Sequence, residues 1–173
     1  MAETRARPQE ILLPVRARFI AATLAAALLA NLLPWSGYAL WVKPDFVALV
    51  VLYWCIEAPR KIGFLAAWLL GLTMDVADGT LFGQHALAYT ILAFAGIVLH
   101  RRVRMFAITP QVLHVIPLLL MNDLIVLGIR VLAGAEFPGF RYFIGSFVGG
   151  ALWPVMGALF RLPRRPQLDP DHA

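Results

Sequence analysis

Six apolar runs divide this chain, and its basic residues fall between them on alternate connections. The runs lie at roughly 18–38, 44–58, 62–76, 84–100, 108–133 and 142–161. Both tails and every second connection carry Arg5, Arg7, Arg16 and Arg18, then Arg60 and Lys61, then Arg101, Arg102 and Arg104, then Arg161, Arg164 and Arg165. The other connections have only Lys43, Arg130 and Arg141, so 12 of the 15 Lys and Arg residues share one side. A bias of that size orients a membrane bundle with its basic side toward the cytoplasm, and a miscount of one span would scramble it. The pattern predicts six spans with both termini cytoplasmic.

Composition agrees. With 61% hydrophobic and 14% charged residues, and a mean hydropathy of +0.76, the chain cannot assemble a water-soluble surface. The apolar runs lack the ten-residue alternation of barrel strands, which leaves helices to satisfy the backbone in lipid. The expected architecture is an all-α integral membrane protein, a six-transmembrane-helix bundle over 18–162. It lies between a cytoplasmic tail at 1–17 and a disordered one at 163–173. The net charge of +5 fits basic loops meeting anionic lipid headgroups better than nucleic acid, because no aromatic-interleaved basic groove accompanies it. Arg16 and Arg18 ahead of an Ala/Leu run resemble a signal peptide. The apolar stretch nevertheless continues past the Ala25/Ala27 spacing, so an uncleaved first helix is expected, ending near Pro34 with Tyr38 and Trp41 as interfacial anchors. The lone Cys55 permits no internal disulfide and reads as a packing or lipid-facing residue.

The second and third runs are short. From Phe46 to Ala58 and from Ile62 to Met74 there are 13 residues each, against about 20 needed to cross the hydrocarbon. Pro59, Arg60 and Lys61 between them belong in cytoplasmic water, so the shortfall should lie at the opposite ends. Those ends hold Asp45, Asp75 and Asp78, which predicts a recessed, acidic, outward-facing depression. Asp75 and Asp78, three residues apart, could share acid and base work on one helix face. Yet Asp78, Gly79, Thr80 and Gly83 form a turn sequence, which favours a structural or interaction role. A metal site is poorly supported, because His85 has no second His at ligand spacing.

The fifth run carries the acid that looks intramembrane. Asn122 and Asp123 lie between Pro117 and Arg130, where an ionisable group should face the bundle interior, a pocket or a partner. Arg130 is two turns from Asp123, too far for a direct pair unless another span supplies its contact. In the last run Gly145, Gly149 and Gly150 with Ser146 allow close helix approach, expected within the bundle rather than between copies.

Taken in order, Leu33-Pro34-Trp35, Pro44-Asp45-Phe46, Leu52-Tyr53-Trp54, Gly71-Leu72, Asp75, Gly79-Thr80, Gly83, Ala86-Leu87-Ala88 and Leu152-Trp153-Pro154 resemble the MreD family of bacterial rod shape-determining proteins. The resemblance runs from about residue 18 to 162. It implies a non-enzymatic inner-membrane subunit of the elongation machinery that directs lateral peptidoglycan synthesis, without a cofactor. The implied direct partner is MreC. Through MreC it implies the MreB filament, RodA and a class B penicillin-binding protein. It also implies a bundle similar to the substrate-binding subunits of energy-coupling-factor transporters. A transporter-type small-molecule-binding subunit is the alternative, with Asp45, Asp75, Asp78, Asn122 and Asp123 as candidate pocket or partner contacts.

Overall fold

The computed structural model describes residues 15–37, 42–79 and 81–164. Tyr38, Trp41, Thr80 and most of both tails therefore lie outside the described residues. Among the described residues the main helices are α1 (Ala17–Leu32), α2 (Phe46–Glu57), α3 (Phe64–Ala77), α4 (Gln84–Arg104), α5 (Val112–Leu132) and α6 (Ile144–Arg161). A short 3-10 turn at Phe140–Phe143 leads into α6.

Three of these are long and apolar enough to cross a membrane: α4, α5, and α6 with its 3-10 lead. The other three are shorter. The second and third helices have 12 and 14 residues, or only about 18–21 Å at 1.5 Å per residue. The first also ends early, at Leu32, where the sequence had suggested a continuation toward 38. Pro34 is the reason: it pushes Leu33 into extended backbone at φ −59°, ψ 140°, and the helix stops one residue before it. Trp35 folds back to donate from Nε1 to the Ala30 carbonyl at 2.9 Å. By contrast α5 runs unbroken through Pro117.

α2 is the centre of the bundle. Its sequence is apolar all round, and every residue from Val47 to Glu57 is buried, as a helix without a polar face requires. α1 packs on one side of it and α4 on another; α4 also takes α3 and α5, and α5 takes α6. The close contacts use small residues. A Cβ on Gly71 of α3 would lie 2.4 Å from Ala86 Cα of α4. One on Gly145 would lie 2.6 Å from the Lys43 carbonyl oxygen, and one on Gly150 2.3 Å from Ile116. The Gly-rich face of α6 is thus occupied within the chain. Cys55 is fully buried against Gly96. The perimeter is apolar, with Leu65, Phe94, Leu113 and Leu132 exposed, the surface expected to meet lipid.

The two ends of the bundle differ. At the basic end, Phe19, Tyr53, Trp54 and Phe160 form an aromatic cluster, with Trp54 and Phe160 stacked at 5.6 Å. Beneath it Arg161 pairs with Glu57 at 3.0 Å. The acid-bearing end holds the polar residues singled out from the sequence.

Candidate functional site

At the acid-bearing end the helices enclose a polar pocket of about 180 Å³. Asn31 of α1, Lys43 and Asp45 ahead of α2, Asp78 after α3 and His85 of α4 line it together with Asn122, Asp123 and Arg130 of α5 and Tyr142 and Ser146 at the start of α6. The pocket lies where α2 begins and α3 ends.

Asp45 is the N-cap of α2. Its Oδ1 accepts from the Ala48 N–H at 3.0 Å and from Asn31 Nδ2 at 2.9 Å. Its Oδ2 accepts from the Tyr89 hydroxyl at 2.6 Å. Asn31 reciprocates, accepting from the Phe46 N–H at 3.0 Å, and its carbonyl takes Lys43 Nζ at 2.7 Å. One carboxylate and one amide thereby tie α1, α2 and α4 together, satisfying donors that a helix start leaves open.

Asp75 does the same for α4, but from another helix. It is 1% exposed and turned away from the pocket that it had been expected to line. Oδ1 accepts from the His85 N–H at 2.9 Å, and Oδ2 from the Gly83 N–H at 2.8 Å and the Ala86 N–H at 3.4 Å. Gly83 caps the start of α4, and its φ of +100° needs glycine, which brings no capping side chain of its own. The carboxylate of α3 supplies what that cap lacks, and it complements the positive end of the helix. The His85 ring completes the arrangement: Nδ1 lies 2.9 Å from Asp75 Oδ1 and Nε2 lies 3.9 Å from Asp78 Oδ2. Asp78 is the more accessible acid, with 38% of its side chain exposed.

The α5 pair sits across the pocket. Asp123 Oδ2 accepts from the Ser146 hydroxyl at 2.5 Å. Asn122 is 1% exposed, and its Oδ1 has no hydrogen-bond partner. Arg130 does not reach Asp123; its Nε donates to Gln84 Oε1 of α4 at 3.2 Å, the contact from another span that its position required.

Of the five residues proposed from the sequence, the structure gathers Asp45, Asp78, Asn122 and Asp123 around one cavity and places Asp75 behind its wall. Asn31, His85 and Tyr142 join them on its wall. Asn31 carried a signal, a polar side chain inside an Ala/Leu helix. Tyr142 carried none, since interfacial tyrosines are common at span ends. Among the described residues no group of three or more His, Cys, Asp or Glu could hold a metal ion.

The family profile for rod shape-determining protein MreD matches residues 15–162. The chain is also similar to the curated rod shape-determining protein MreD of Haemophilus influenzae, 29% identical over 139 residues that cover 80% of this chain and 86% of that protein. No solved structure matches it. A helical chain with three helices long and apolar enough to cross a membrane, matched over residues 15–162 by one profile, belongs to the MreD family of rod shape-determining proteins.

Proposed function

We propose that this chain is a non-enzymatic scaffold of the cell-elongation complex, seated in the inner membrane with both termini cytoplasmic and its acid-bearing end outward. In this reading the bundle docks the transmembrane helix and membrane-proximal segment of MreC. Through MreC it links the MreB filament to RodA and a class B penicillin-binding protein. The basic end, where Arg60, Lys61, His100 and Arg104 line a cavity of about 370 Å³, meets anionic lipid.

The observation that carries the scaffold reading is the use of Asp75. A general acid or base must reach its substrate, and this carboxylate instead faces backbone N–H groups of a neighbouring helix. Asp45 is engaged in the same way. Asp45 and Asp75 therefore serve to hold helices together. Co-expression with MreC tests the reading: MreC should stay with the chain through detergent purification in fixed ratio. A chain that restores rod shape in a deletion strain yet purifies without MreC contradicts it.

The pocket favours a second reading, a small-molecule-binding subunit akin to those of energy-coupling-factor transporters. A specific small molecule retained through purification would support it.

A further inference from the structure

The hydrogen-bonding capacity around the acid-end pocket is unevenly used. Its cations already donate within the chain, Lys43 to the Asn31 carbonyl at 2.7 Å and Arg130 to Gln84 at 3.2 Å. Its acceptors are less occupied. Asn122 Oδ1 is buried without a donor, which folded proteins rarely leave so. Asp123 receives Ser146 on Oδ2 and a hydrogen bond from the Asn122 side chain, and Asp78 Oδ2 lies 3.9 Å from the His85 ring. The buried acceptor Asn122 Oδ1 is left without a donor, and three acids against two permanent cations on the cavity wall favour a positively charged one.

We propose that this pocket binds an N–H cation, an ammonium or alkylguanidinium group, with Asn122 and Asp123 as its buried acceptors and Asp78 as the exposed one. About 180 Å³ holds a short alkyl amine or the end of a lysine or arginine side chain. A free amine and a basic side chain of a membrane-proximal partner segment present the same chemistry. The site depends only on this chain's own residues, so its failure would leave MreC docking untouched.

Thermal unfolding of the purified full-length chain, followed by tryptophan fluorescence, tests the site. n-Butylammonium chloride should raise the midpoint saturably. Tetramethylammonium chloride, equally charged but without N–H, and sodium butyrate should not. Asp78→Asn should weaken the apparent affinity about tenfold, the loss of one charge-assisted hydrogen bond, and Asn122→Leu should abolish the shift. Native mass spectrometry separates the sources. A retained amine identifies a free ligand. An amine-free chain whose butylammonium response vanishes when MreC is co-purified identifies a partner side chain. A shift with tetramethylammonium equal to that with butylammonium, a response unchanged in both variants, or no saturable shift overturns the proposal and leaves water as the occupant.

Discussion

Asp75 of α3 closes the amino end of α4, with its Oδ1 2.9 Å from the His85 N–H. The same atom receives the His85 ring nitrogen at 2.9 Å, and Oδ2 receives the Gly83 N–H at 2.8 Å. Asp75→Ala strands these donors in a site that is 1% exposed. It should destabilise the protein by about 3 kcal/mol, more than an ordinary lost cap. Asp75→Asn, which keeps one acceptor oxygen, should lose less. Thermal unfolding in detergent would rank wild type above Asn above Ala; an unchanged Ala variant would remove Asp75 from the architecture.

The Asp45–Tyr89 contact at 2.6 Å joins the start of α2 to α4. Tyr89→Phe should cost about 1.5–3 kcal/mol, the range for a hydrogen bond to a charged acceptor. A double-mutant cycle with Asp45→Asn should return a coupling energy of about 1 kcal/mol or more. Additive effects would show that the two side chains act independently.

Gly71 and Gly128 separate packing from helix propensity. A Cβ at Gly71 meets Ala86 backbone at 2.4 Å, whereas one at Gly128 meets nothing within 4 Å. Gly71→Ala must push α4 away and should cost about 1–3 kcal/mol or more. Gly128→Ala should leave stability unchanged or raise it by up to about 1 kcal/mol. The same unfolding measurement checks both.

At the basic end, Arg161 pairs with Glu57, whose side chain is 4% exposed. Arg161→Ala leaves that carboxylate short of its cation and should cost about 2 kcal/mol, less than a fully buried pair because 29% of the Arg161 side chain is exposed. Glu57→Gln with Arg161→Met should recover part of the loss, measured again by unfolding.

Much of this fold can be read from the chain because membrane helices announce themselves by length and charge. The shortness of α2 and α3 and the polarity of Asn122–Asp123 follow from residue order alone. The direction in which Asp75 points does not. Its spacing from Asp78 places both acids at the end of α3, but which neighbour Asp75 meets is set by Gly71, which lets α4 come close enough for a carboxylate one turn on to reach the Gly83 and His85 N–H groups. The Glu57–Arg161 pair joins residues 104 apart in sequence and is likewise a product of packing. Turn chemistry at Asp78 and Gly79 suggested a structural role for these acids, and the helix that they would serve became visible only in three dimensions.

Site-specific photocrosslinking in living cells tests the scaffold account most directly. With benzoylphenylalanine placed one position at a time along the exposed faces of the six helices and at the Tyr142 rim of the pocket, the account predicts adducts with MreC from one contiguous face while rod shape is kept. Full rod shape with no MreC adduct at any position would contradict it.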